Sequence, residues 1–98
     1  MLAEKIFSLV KQIPKGKVTT YAELAKAIGN KKLARVVGRI LSKNPKPIEI
    51  PCHRVVRSDG GVGGYKWGVI KKIELLRNEG IEVKNGKIVK LEKYFYRF

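Results

Sequence analysis

Cysteine occurs once in this chain and so does histidine, and the two are neighbours, Cys52 and His53. A single cysteine excludes an internal disulfide framework and fits a reducing compartment. Two adjacent ligands cannot build a tetrahedral zinc site alone, so no metal is expected. Acidic side chains are scarce. Eight Asp and Glu stand against 22 Lys and Arg, a formal charge of +14 on 98 residues. So strong an excess points to a polyanionic partner, nucleic acid first. The cations are spread along the chain, which argues against a basic membrane-surface helix. No apolar run reaches the length of a membrane span and no secretory leader is visible, so the cytoplasm is the expected location. Internal repeats and low-complexity segments are missing as well. The length fits one small domain with a modest core, too short to hold a second catalytic unit.

What is present centres on Cys52, inside the run IPCHRVV (residues 50–56). A thiol attacks only as thiolate, and a free cysteine with a pKa of ~8.5 is a few per cent thiolate at neutral pH. His53, Arg54 and Arg57 surround it in sequence and favour the charged form. A glycine-rich stretch follows, Gly60-Gly61-Val62-Gly63-Gly64-Tyr65. It lacks the Gly-Lys-Ser/Thr ending of a phosphate-binding P-loop, which excludes nucleotide hydrolysis by that device. Its glycines fit tight turns and close backbone approach.

Periodicity supplies the frame. Ile6, Leu9, Val10 and Ile13 predict an amphipathic helix over residues 2–12, ended by Pro14 and Gly16. Thr20 and Glu23 have capping-box spacing ahead of a short helix through Leu24, Ala25 and Ile28, which Gly29 stops. Asn30 is placed to cap the next helix. There Leu33, Val37, Ile40 and Leu41 form an apolar stripe, while Arg35, Arg39 and Lys43 recur every four residues on another face. Two short helices around a glycine turn, the second carrying a basic stripe, predict a helix-turn-helix with DNA on the second helix. Asn44-Pro45-Lys46-Pro47 must leave the helix, and Val55-Val56 predicts a short buried strand or turn. A helix over residues 66–79 is expected to bury Val69, Ile70, Ile73 and Leu76, with Gly80 as its cap. Asn85-Gly86 between apolar stretches predicts a hairpin, and the aromatic end (Tyr94, Phe95, Tyr96, Phe98) is expected to pack rather than stack on bases. The fold class expected is mainly α with a small β component, winged helix-turn-helix-like.

Five blocks in order, IPKGKVTTYAELA (13–25), ARVVGRILSKNP (34–45), PIEIPCHRVV (47–56), GGYKWG (63–68) and ELLRNEG (74–80), closely resemble the C-terminal domain of the methylated-DNA–protein-cysteine methyltransferases, the O6-alkylguanine-DNA alkyltransferases. The PCHR element with an Asn-Pro eight residues upstream of the cysteine is the most specific of them.

The resemblance implies a single-turnover repair protein that moves the alkyl group of O6-alkylguanine, and by extension O4-alkylthymine, onto its own Cys52 after the nucleotide is flipped from double-stranded DNA. Under it, His53 takes the thiol proton through a water and Glu79 orients His53. Asn44 ties the turn to the cysteine segment, and Tyr21 helps rotate the nucleotide and hydrogen-bonds the purine. Arg35 fills the vacated stack, with Thr20, Tyr21, Arg39 and Lys43 also on the DNA. Pro47, Val55, Tyr65, Lys66, Trp67 and Gly68 line the lesion pocket, with Lys72 and Arg54 in support. No cofactor is implied, and the protein is expected to be a monomer. The family's usual N-terminal domain is expected to be absent, with residues 81–98 as a hairpin and tail that wraps the face it would cover. Two rivals remain. One is a non-catalytic lesion binder of the alkyltransferase-like kind, which replaces the cysteine. The other is a helix-turn-helix regulator that uses Cys52 as a sensor.

Overall fold

The computed structural model describes residues 2–98. Helix α1 (Leu2–Lys11) buries Ile6 and Val10, one turn apart on a single stripe. The chain then turns at Pro14–Lys17 and enters β1 (Thr19–Thr20), which leads directly into α2 (Tyr21–Ala27). Half of the expected capping box is formed: the Thr20 hydroxyl accepts from the Glu23 amide at 3.0 Å. Asn30 caps as expected, but what it caps is a 3₁₀ turn, Lys31–Leu33, which runs into α3 (Ala34–Ser42). α2 and α3 are the helix-turn-helix.

A 3₁₀ turn at Cys52–Arg54 precedes β2 (Val55–Val56), which pairs in parallel with β1 in the register Thr19↔Val55 and Thr20↔Val56. Successive strand residues face opposite ways. Val55 therefore enters a core made with α1, α2 and α3, while Val56 enters a second core with Val18, Val62, Leu76 and Ile81. The cysteine segment lies on the seam between them.

Helix α4 (Val69–Asn78) is shorter than the 66–79 expected, and its buried face is rotated. Gly68 has φ +95°, a left-handed conformation that a helix cannot pass through, and the segment before it is a turn closed by the Gly68 amide on the Tyr65 carbonyl. Val69 and Ile70, expected inside, are exposed, Ile70 by 84%. Leu76 is buried as expected, but its partner one turn earlier is Lys72, with no exposed surface at all.

Strands β3 (Val83–Lys84) and β4 (Lys87–Ile88) form the hairpin predicted around Asn85-Gly86. Both turn residues have positive φ, 53° and 74°, as a type I′ turn requires. After α5 (Leu91–Tyr94) the last residues run beside Val18, whose amide donates to the Tyr94 carbonyl and whose carbonyl accepts from the Tyr96 amide. Among the described residues no helix is long and apolar enough to cross a membrane.

Candidate active site

Cys52 is held by a tight turn at the proline before it. Pro51 has φ −76° and ψ 64°, an inverse γ-turn, and the Cys52 amide donates to the Ile50 carbonyl at 2.7 Å. Proline's ring fixes φ near that value without cost. The same Ile50 carbonyl accepts from Asn44 Nδ2 at 2.8 Å, while Asn44 Oδ1 accepts from the Lys46 amide at 2.9 Å. Asn44 is fully buried, so the proline turn and the cysteine turn are tied through one side chain. Lys66 Nζ closes the arrangement on the Asn44 carbonyl at 2.7 Å.

His53 and Glu79 lie 26 residues apart in sequence and meet at 2.9 Å, His53 Nε2 to Glu79 Oε2. Arg54 clamps the same carboxylate with two parallel bonds, Nε to Oε1 at 2.9 Å and Nη2 to Oε2 at 2.8 Å, and donates from Nη1 to the Ile13 carbonyl. Burial acts to raise the Glu79 carboxyl, but hydrogen bonds and charge from Arg54 and His53 outweigh it and hold the group below its ordinary value. Glu79 is therefore an acceptor only, so His53 Nε2 carries the hydrogen and Nδ1 is the basic nitrogen of the neutral ring. Burial lowers the His53 pKa against the opposing pull of Glu79, which favours that neutral ring.

Two buried side-chain atoms have no hydrogen-bond partner among the described residues, His53 Nδ1 and the Tyr65 hydroxyl. Their rings meet edge to face at 6.4 Å. An unpaired buried polar atom costs about 1–3 kcal/mol, so each of the two is available to a water or a bound group.

Cys52 and Tyr65 line a cavity of about 370 Å³ together with Tyr21, Gly38, Leu41, Ser42, Arg57, Gly63, Gly64 and Lys66. Its size is that of a small-ligand site. Of the pocket residues expected from sequence, Tyr65 and Lys66 line it. Pro47, Val55, Trp67 and Gly68 do not. Val55 is fully buried behind it, and Trp67 is half exposed against Tyr65. Sequence reasoning missed Gly38, Leu41, Ser42, Gly63, Gly64 and Arg57. A glycine inside a basic helix was the available signal for Gly38, since it weakens the helix unless space is needed there.

Lys72 braces the wall. Its Nζ donates to the Val55 carbonyl at 2.7 Å, the Gly64 carbonyl at 3.1 Å and the Tyr21 hydroxyl at 3.4 Å. Burial lowers its pKa to about 8, against the attraction of Cys52. Burial likewise raises Tyr21 to about 12, reinforced by Cys52 and opposed by Arg57. Tyr21 therefore stays protonated and can donate. Arg35, Arg39 and Lys43 are exposed on α3 and at its end. Thr20 is buried, with its hydroxyl in the α2 cap, so the expectation that it presents a side chain to DNA does not fit its position.

The family model for the DNA binding domain of 6-O-methylguanine DNA methyltransferase matches residues 1–81. A bifunctional methyltransferase/endonuclease of Picrophilus torridus is 52% identical over 83 residues, 85% of this chain and 28% of that protein. The human methylated-DNA–protein-cysteine methyltransferase is 48% identical over 75 residues, 76% of this chain and 36% of that protein. The chain thus spans about a third of the length of these curated relatives. Among solved structures, S. pombe Atl1 in complex with damaged DNA containing O6-carboxymethylguanine superposes with a TM-score of 0.88 at 29% identity, over 99% of this chain and 95% of that one. The O6-methylguanine-DNA methyltransferase of Pyrococcus kodakaraensis superposes with a TM-score of 0.74 at 41% identity, over 81% of this chain and 46% of that one.

Proposed function

The chain belongs to the family of 6-O-methylguanine DNA methyltransferase DNA-binding domains, and on that premise we propose that it repairs O6-alkylguanine in double-stranded DNA by moving the alkyl group to Cys52, once per molecule. The observation that carries this reading is the Glu79–His53 pair beside a cysteine that lines an open cavity. A purely structural cysteine needs neither the cavity nor the base.

The lesion must leave the stack to reach a thiol at the bottom of a cavity. The unpaired Nδ1 of His53 takes the Cys52 proton through a water, and Glu79 stabilises the imidazolium that results. The thiolate attacks the alkyl carbon. The S–C bond forms, the C–O6 bond breaks, and its electron pair leaves on guanine, which accepts the proton that left Cys52, returned from the His53 imidazolium by way of water, so that ring and base both end neutral. Tyr21, kept protonated by burial, hydrogen-bonds the purine as that charge develops. Asn44 and Pro51 hold the sulfur in place, which is the positioning part of the rate. The product is a thioether with no easy leaving path, so each molecule acts once.

Arg35, Arg39 and Lys43 supply the DNA contacts from α3, with Arg35 entering the stack where the nucleotide left. These contacts are largely independent of sequence, as a repair protein requires.

A second reading draws on the likeness to Atl1 over nearly the whole chain, against the presence of Cys52, which proteins of that kind replace. Under that reading the chain binds alkylated DNA and transfers nothing. One measurement separates the two: intact mass after incubation with excess duplex carrying one O6-methylguanine, beside Cys52→Ser. Repair predicts a gain of one methylene unit located on Cys52 and absent in the variant. Unchanged mass with tight lesion-selective binding would give the second reading the field.

A further inference from the structure

A nucleotide turned into the cavity brings its phosphates with it, and they must lie outside the base site. Beside the cysteine cavity is a shallow depression lined by Tyr21, Ala34, Arg35, Gly38 and Arg57. Tyr21, Gly38 and Arg57 line both spaces, so the two are neighbours that share these three residues. The depression has a guanidinium from α3 on one side and one from the loop after β2 on the other.

Arg57 is prepared for an anion. Its amide donates to the Gly61 carbonyl at 2.8 Å and its carbonyl accepts from the Gly60 amide at 3.0 Å, so its backbone is fixed in a tight turn. Its side chain packs close to Gly63, where an added Cβ would lie 3.5 Å from Arg57 Cγ. Its guanidinium meets Asp59 at 3.3 Å, and Asp59 is itself fixed by the Gly61 amide at 2.9 Å. Both partners of that ion pair are more than half exposed. Such pairs contribute little, so a phosphate can take the guanidinium over without a large penalty. Arginine also suits a phosphate by its planar fork of donors.

We propose that Arg57 binds the phosphate flanking the flipped nucleotide, holding the sugar–phosphate in the depression between Arg57 and Arg35 while the base occupies the cysteine cavity. The proposal rests on the base-flipping reading above. The two arginines then have separate roles. Arg35 replaces the base in the stack, and Arg57 retains the displaced backbone.

The test uses binding without chemistry, in a Cys52→Ser background, on a duplex with one O6-methylguanine. Arg57→Gln should weaken binding roughly tenfold and reduce the log–log salt slope by about 1. Arg57→Lys should restore the slope. Replacing the single flanking phosphate by an uncharged methylphosphonate should weaken the parent and leave Arg57→Gln unaffected, the coupling that a direct contact requires. Lys11→Gln removes the same charge from α1, which lines neither space, and should leave that coupling intact. Equal methylphosphonate penalties with and without Arg57, at every phosphate near the lesion, would overturn the proposal. Alkyl transfer by the Cys52 protein is read separately. Coupling without transfer would sink the repair reading alone, and transfer without coupling would sink this proposal alone.

Discussion

Glu79 is the residue on which the site is most exposed to a single change. Its carboxylate accepts from Arg54 twice and from His53 once, with only a tenth of its side chain exposed. Glu79→Gln keeps the shape but leaves Arg54 charged and without its counter-ion, which should cost about 3 kcal/mol in chemical denaturation. The folded carboxyl lies below its unfolded value of 4.5, so its stabilisation is present above pH 4.5 and is lost as pH falls through the folded value. The stability gap between wild type and Glu79→Gln should therefore be open at neutral pH and close in acid. Lys72 has the same direction of shift with the charged form reversed. Its folded pKa of about 8 lies under the ordinary 10.5, so the unfolded chain binds more protons between those values. Stability from this group rises as pH climbs from about 8 to 10.5. Melting curves of wild type and Lys72→Met across that window should show the wild type gaining on the variant. A constant difference would mean that Lys72 is not desolvated as described.

The elements that matter most are the turns, since they aim the helices' side chains at one point. Gly63 and Gly86 have nearly the same positive φ, 76° and 74°, and alanine at either should cost about 1–2 kcal/mol from the left-handed backbone alone. They differ in surroundings. A Cβ at Gly63 would come within 3.2 Å of the Tyr21 hydroxyl, whereas at Gly86 it meets nothing within 4 Å. Gly63→Ala should therefore lower the alkyl-transfer rate by tenfold or more, while Gly86→Ala lowers thermal stability alone. Equal transfer rates in single-turnover assays would show that the Tyr21 hydroxyl has no role at its observed position. The α2–α3 pair is legible from capping and periodicity because those signals are local. The buried face of α4 is not, because the helical stripe through Val69, Ile70 and Ile73 competes with a buried amine. Lys72 reaches three oxygens on other elements, and no local pattern reports those acceptors.

At the scale of the molecule, the tail completes the second core. Ile81, Val83, Ile88 and Tyr94 are buried there with Val18, Val56, Val62 and Leu76. At about 1.5–3 kcal/mol for each buried apolar side chain, the four contribute roughly 6–12 kcal/mol, as much as the whole stability of an ordinary domain. Deleting residues 81–98 should abolish the cooperative thermal transition followed by circular dichroism. A truncated chain that melts within a few degrees of the parent would mean the tail is an accessory. The segment 18–20, which contains β1 and introduces Tyr21, is what the tail grips, through the Val18 backbone and the Thr19 hydroxyl. Loosening it should therefore impair the site before the rest of the first core.

The chemistry on offer and the local frame are legible in the chain alone: one nucleophile beside one base, an excess of cations, a helix-turn-helix and a hairpin at Asn85-Gly86. Each depends on residues within a few positions of one another, where spacing and backbone preference are decisive. The resemblance to a repair family added the pairing of His53 with Glu79, which no spacing rule could supply across 26 residues. The three-dimensional packing alone settles that Arg54 clamps Glu79, that Lys72 is inside, that Trp67 and Val55 stay off the cavity wall, and that Arg57 lines it. Those are contacts between distant segments. They follow from how two cores meet at the β1–β2 seam, and packing of that kind leaves no period in the chain.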